Sequence, residues 1–228
     1  MNDFVLPPPP VVAAPVAGGG RFPIRRIFCV GQNYAAHSRE MGGDPTREPP
    51  FFFSKPADAL VIGDADAPYP SATQNLHHEI ELVVAIAAGG ASIPVAEAEK
   101  HVYGYAAGLD LTRRDLQAQA RENRKPWDLS KGFDASAPLG LIYSAAKIGH
   151  PKAGRIALTV NGELRQQGDL HDLIWSVAEV IAALSHYVRL APGDLIFTGT
   201  PAGVGAIARG DVLEGEIEGV GTVKTRIV

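Results

Sequence analysis

His77-His78-Glu79-Ile80-Glu81-Leu82-Val83-Val84-Ala85-Ile86 is the stretch whose reading decides the fold. Polar and apolar residues alternate from 78 to 82 and merge into the branched apolar run 83–86. That pattern predicts a strand, and its period of two puts Glu79 and Glu81 on the same face. Upstream, the apolar run 24–30 predicts a buried strand broken by Gly31, followed by a short helix over 34–41 with Asn33 as its N-cap and Gly42-Gly43 at its end. His37 and Glu40 fall on one face of that helix. Short strands are expected at 51–53 and 59–62, separated by Lys55-Pro56, with a turn around Pro68, Pro70 and Ser71.

Downstream, the pattern predicts a helix over 95–103, a strand over 104–111 with Asp110 at its end, and a helix over 112–124 capped by Thr112. Asn161-Gly162 between 156–160 and 163–165 signals a hairpin. The longest helix is expected at 172–188, followed by strands at 194–197, 211–217 and 222–228 joined by glycine-rich turns. Strands outnumber helices and are joined mostly by turns, which disfavours a doubly wound parallel sheet and predicts a strand-dominated α+β fold. The sequence has no repeats and no linker. It divides into a Pro/Gly-rich arm at 1–21, expected to be loose, and one catalytic domain at 22–228.

Composition narrows the function. In the chain of 228 residues, 46% are hydrophobic and 20% charged, ordinary values for a chain that buries a core. The net charge of −4 comes without a long basic stripe, so nucleic acid is not an expected partner. Cys29 is the single cysteine, which excludes an internal disulfide and a cysteine zinc cluster and suits a reducing cytoplasm. No apolar run approaches the length of a membrane span. The opening segment has no basic start and carries Asp3, unlike a signal peptide.

Glu79, Glu81 and Asp110 form the sharpest candidate site, because three carboxylates offer the hard oxygen ligands that suit Mg²⁺, Mn²⁺ or Ca²⁺. Such an open site leaves positions for water and can chelate an α-keto acid. Taken alone, Glu-x-Glu also fits a solvated strand face, but these acids sit in an otherwise apolar strand, where two like charges call for a compensating cation. His37 and Glu40, three residues apart, can form a carboxylate-oriented general base for water, or simply a surface pair on a short helix. Lys131 and Gln117 are candidate donors to an oxyanion, and Arg114 a candidate fork for a carboxylate. Cys29 reads as a packed thiol. The remaining histidines show no metal spacing, and residues 199–205 lack the features of a phosphate loop and read as a turn lining a site.

Six ordered motifs then resemble one family. They are Phe28-Cys29-Val30-Gly31-Gln32-Asn33-Tyr34-Ala35-Ala36-His37; His77-His78-Glu79-Ile80-Glu81; Gly108-Leu109-Asp110-Leu111-Thr112-Arg113-Arg114-Asp115; Lys131-Gly132-Phe133-Asp134; Val160-Asn161-Gly162-Glu163; and Gly199-Thr200-Pro201. Their order over residues 22–228 resembles the fumarylacetoacetate hydrolase family. The resemblance implies a mixed β-roll with a few peripheral helices and a cytoplasmic homodimer. It implies Mg²⁺ or Mn²⁺ on Glu79, Glu81 and Asp110, a water-activating dyad of His37 and Glu40, and substrate-facing positions at Arg114, Gln117, Lys131 and Thr200. The implied reaction is hydrolysis of a carbon-carbon bond in an acylpyruvate such as 3-fumarylpyruvate, giving fumarate and pyruvate in gentisate-type aromatic catabolism. Oxaloacetate-type decarboxylation and keto-enol isomerisation are its rivals. Gln32 departs from the pattern, since relatives often carry Arg there.

Overall fold

A computed structural model describes residues 4–40 and 48–228 of the chain. Among them, an eight-stranded mixed sheet runs in the order Phe51–Lys55, Arg26–Gly31, Asp194–Phe197, Ile80–Ile86, Val102–Leu109, Ala137–Leu139, Leu60–Ile62, with Tyr143–Ser144 also pairing with Val102–Leu109. Two of its pairings are parallel, Arg26–Gly31 with Asp194–Phe197 and Ala137–Leu139 with Leu60–Ile62. An antiparallel four-stranded sheet follows the order Glu163–Asp169, Arg155–Val160, Val212–Ile217, Gly221–Arg226. A small sheet joins Gly205–Ile207, Leu76–His78 and Thr112–Arg113. The result is the strand-dominated fold expected from the pattern, with the curled mixed sheet that the family resemblance implies.

The strand Ile80–Ile86 is buried throughout because its sheet is covered on both faces. Leu82, Val84 and Ile86 join the larger apolar cluster with Tyr105, Ala107 and Leu109, and Val180, Ile181 and Leu184 of the helix Val177–Tyr187 pack into it. Val83 and Ala85 join a second cluster with Cys29, Ala106, Leu195 and Phe197. Each large aliphatic side chain buried in this way contributes about 1.5–3 kcal/mol.

The strand expected over 78–86 is interrupted at Glu79, where Leu76–His78 peels into the small sheet. One register nevertheless runs through both ladders. Ile80 faces Leu109 and Glu81 faces Gly108 in the large sheet, while Leu76 faces Arg113 and His77 faces Thr112 in the small one. Glu79 therefore stands opposite Asp110, and the Asp110 amide donates to the Glu79 carbonyl at 2.9 Å. The seam between two sheets thus brings the acids of two sequence motifs together.

Several helix expectations give way to pairing. Residues 95–103 form a 3-10 helix over Val95–His101, and Val102 already belongs to the strand, paired with Ile86. Thr112 pairs with His77 and cannot cap a helix; its hydroxyl donates to the Asp110 carbonyl at 3.1 Å, and the helix runs over Arg114–Glu122. The longest helix begins at Val177, where Ser176 and Glu179 close a capping box, because 173–174 are drawn into backbone contacts with Asn33 and Tyr34. The Asn33 side chain is not spent as a cap. It donates to the carbonyls of Trp175 and Thr198 and accepts from the Trp175 amide. The helix after it spans Ala35–Glu40, and the expected end at Met41 to Gly43 lies outside the described residues. The Asn161-Gly162 hairpin forms as expected, both residues having positive φ. Part of the segment expected as a loose arm is ordered: Ala13–Pro15 pairs with Arg21–Pro23, Ala14 is buried, and the Ala17 amide donates to Ile142. Residues 4–11 are exposed. No helix among the described residues is long and apolar enough to cross a membrane.

Candidate active site

One cleft gathers His37, Glu79, Glu81, Asp110, Arg114, Gln117, Lys131 and Thr200, walled by Val30, Gln32, Phe53 and Trp127. Eight of the nine expected site residues line it. The ninth, Glu40, stands behind His37, its Oε2 3.1 Å from His37 Nδ1. Both oxygens of Glu40 accept from the Gly203 amide at 3.2 Å, so the dyad is steadied from residues 198–205.

Glu79, Glu81 and Asp110 are all buried, and one oxygen from each lies within 4.8 Å of the others. Part of the compensation that these like charges call for comes from the protein's own cations. Lys131 Nζ donates to Glu79 Oε2 and Asp110 Oδ2, both at 2.6 Å, and Arg114 Nη2 to Glu79 Oε1 at 2.5 Å. Lys55 Nζ stands 2.8 Å from Asp110 Oδ1. Lys55 Nζ also donates to the carbonyls of Leu111, Lys131 and Ser136.

This compensation is uneven. Burial alone would raise the Glu79 pKa, but the charges of Lys131 and Arg114 outweigh it and hold the carboxyl well below its ordinary range. Glu81 receives the Gly199 amide at 2.7 Å; burial, then the negative charges of Asp110 and Glu79, push its pKa well up. An under-compensated Glu81 in an all-oxygen cluster with Glu79 and Asp110 fits a hard divalent cation.

Arg114 and Lys131 were read from the sequence as groups for the substrate, and both are engaged with the acids here. Arg114 also donates to Gln117 Oε1 at 2.5 Å and, through Nε, to His77 Nδ1 at 3.3 Å. Burial and the Arg114 charge lower the His77 pKa to about 4, which keeps that ring neutral and able to accept. Because Arg114 has donors alone, the Gln117 oxygen must face it, and the Gln117 amide nitrogen is left for the cleft. Thr200 Oγ1 accepts from Gln166 Nε2 at 2.8 Å. Cys29 is fully buried with its pKa raised, chiefly by burial, as suits a packed thiol.

Sequence reasoning missed Lys55, His77 and Gln166. Lys55 closes an apolar strand just before Pro56, and Gln166 is the inward-facing polar residue of Glu163–Asp169. A buried polar residue ending an apolar run is the signal Lys55 offered; Gln166, within the polar run Glu163–Asp169, and His77 offered none.

An open carboxylate centre beside a histidine-carboxylate pair defines a metal-assisted enzyme site. The match to the family model for the fumarylacetoacetate (FAA) hydrolase C-terminal domain covers residues 26–228. A crystal structure of fumarylpyruvate hydrolase from Pseudomonas aeruginosa, in complex with Mn²⁺ and pyruvate, is 53% identical and superposes with a TM-score of 0.97 over 99% of both chains. Fumarylpyruvate hydrolase of Ralstonia sp is 43% identical over 184 residues, 81% of this chain and 95% of its own length. Oxaloacetate tautomerase FAHD1 of Rattus norvegicus is 40% identical over 203 residues, 89% of this chain and 91% of its own. The chain belongs to the fumarylacetoacetate hydrolase family and is a hydrolase acting on carbon-carbon bonds.

Proposed function

We propose that the chain hydrolyses acylpyruvates, with 3-fumarylpyruvate as its substrate and fumarate and pyruvate as products. The observation that carries this reading is one cleft containing both the three-carboxylate cluster and His37, with Glu40 bonded behind it. Glu79, Glu81 and Asp110 hold Mg²⁺ or Mn²⁺ in this reading. That cation supplies positive charge at the α-keto acid end of the substrate. His37, oriented by Glu40, takes a proton from a water molecule, which attacks the distal ketone carbon. Lys131 and Gln117 donate to the oxygen that becomes negative, while Arg114 and Thr200 face the substrate's carboxylate. The bond between the attacked carbon and the pyruvyl methylene breaks, the methylene carbon gains a proton, and the two products are carboxylates. The catalytic unit is residues 22–228, acting as a cytoplasmic homodimer in gentisate-type aromatic catabolism.

The relationship to an oxaloacetate tautomerase supports a second reading, in which the same site enolises oxaloacetate without hydrolysis. The His37–Glu40 pair favours hydrolysis, which needs an activated water. The deciding experiment follows the absorbance of 3-fumarylpyruvate, acetylpyruvate and oxaloacetate with Mn²⁺ or Mg²⁺, with and without chelator. Fastest loss of fumarylpyruvate to pyruvate and fumarate, stopped by chelator, is the expected result. Turnover of oxaloacetate alone would overturn the hydrolase reading.

A further inference from the structure

Gln166 lies behind the cleft, 1% exposed, and its side-chain amide makes four hydrogen bonds. Oε1 accepts from the Ile80 amide at 3.1 Å and lies 2.9 Å from His78 Nδ1; Nε2 donates to Thr200 Oγ1 at 2.8 Å and to the Pro201 carbonyl at 2.9 Å. A backbone amide can only donate and a backbone carbonyl only accept, so Ile80 and Pro201 together fix which end of the amide is oxygen. Two protons are thereby placed. His78 Nδ1 must carry one, because it faces an oxygen that only accepts. Thr200 Oγ1 already accepts from Gln166, so its single proton is free to point elsewhere, and Thr200 lines the cleft.

We propose that Gln166 is a positioning residue: it turns the Thr200 hydroxyl proton toward the anionic α-keto acid end of the substrate, and it ties that donor to Ile80, the residue between Glu79 and Glu81. The identity of the ligand rests on the acylpyruvate reading; the polarity of Thr200 rests on the four bonds. A threonine free to rotate would present donor or acceptor with equal ease. One loaded from behind by an amide N–H selects for a negatively charged oxygen in front of it.

The test titrates oxalate, a two-oxygen stand-in for the α-keto acid end, calorimetrically into protein carrying stoichiometric Mn²⁺. Gln166→Glu preserves size and the acceptor for Ile80 and His78 but sets a second acceptor against Thr200, whose proton then turns inward. Oxalate affinity is expected to fall about ten- to a hundredfold, the scale of one lost charge-assisted hydrogen bond. Thr200→Val should lose a similar factor, and the double variant should bind no worse than Thr200→Val alone, since both remove one donor. A purely structural Gln166 predicts instead that the two losses multiply. Wild-type oxalate affinity in Gln166→Glu, or full multiplication of the losses, would overturn the proposal. If a buried carboxylate prevents folding, Gln166→Met removes the same donor without a charge and faces the same criterion in the Thr200→Val background. Because binding is read without turnover, the expected pattern in a protein that fails to cleave any acylpyruvate would sink the hydrolase reading alone. Intact hydrolysis with an indifferent Gln166 would sink this inference alone.

Discussion

The cluster of Glu79, Glu81 and Asp110 and the pair His37 and Glu40 are built by opposite means. The acids sit on a seam between two sheets, opposite or two residues apart in one register, buried at the base of the cleft and answered by Lys55, Lys131 and Arg114. The pair sits on the six-residue helix Ala35–Glu40, and the Glu40 side chain remains 34% exposed, held by its bonds to His37 and the Gly203 amide. A site built this way separates its duties. Charge is held on the buried seam, and the proton-transfer pair stands on a short helix. Damage to the first should therefore cost metal and stability together, and damage to the second should cost rate alone.

The largest effect is expected from Asp110→Ala, which removes a ligand and leaves Lys55 and Lys131 buried without their shared carboxylate. Uncompensated buried charges cost about 3–5 kcal/mol, so Tm should drop on the order of 10 °C and Mn²⁺ binding, followed by electron paramagnetic resonance, should vanish. Retention of wild-type Mn²⁺ affinity would remove Asp110 from the cluster's function. His37→Gln should keep the metal and Tm while kcat on the acylpyruvate falls about 10²- to 10⁴-fold. Loss of Mn²⁺ in that variant would break the division between the two regions. Gly203→Ala is a milder probe. Gly203 has a φ of +95°, and a Cβ there would lie 2.3 Å from the Arg165 carbonyl oxygen, so its loop must shift away from Arg165 and disturb the Gly203 amide's bond to Glu40. A drop in kcat of about tenfold is expected, with little further loss when Glu40→Gln is added, because both act through the orientation of His37. Fully additive losses would show that the loop affects rate by another route.

This division also explains what could be read from the sequence. The acids were legible because the period of two between Glu79 and Glu81 is local, and Asp110 follows directly on a strand. The dyad was legible for the same reason, its two residues being three apart. Lys55 was not, because its meaning comes from carbonyls at 111, 131 and 136 that only the folded sheet brings near. Gln166 meets His78 across 88 residues of chain, and Arg114 meets Glu79 across 35, so a guanidinium read as a grip for substrate is bonded to one of the acids, Glu79. Helix limits failed where ladders compete. Thr112 is a good cap by composition, yet pairing with His77 satisfies its backbone first, and Val102 is drawn from the expected helix by Ile86.

The smallest expected effect concerns the support of the helix Arg114–Glu122, which carries two cleft residues between the regions compared. Asp115, in its first turn, accepts from the Thr73 hydroxyl at 2.6 Å and from the amides of Gln74 and Leu116 at 2.9 Å. Partial burial would raise its pKa, but the Thr73, Gln74 and Leu116 bonds outweigh it and lower the value. A folded pKa below the unfolded one contributes stability above the unfolded value, about 3.9, and loses it as pH falls through the folded value. Asp115→Asn should therefore melt roughly 2–4 °C below the wild type near neutrality, and the gap should close in acid as the wild-type carboxylate is protonated. Melting curves from pH 7 to strong acid test this. A gap that stays constant would mean the charge on Asp115 is idle and the geometry of its hydrogen bonds alone secures the helix. A closing gap would mean that the two cleft residues Arg114 and Gln117 are held in place by a charge lying outside both the acid cluster and the dyad.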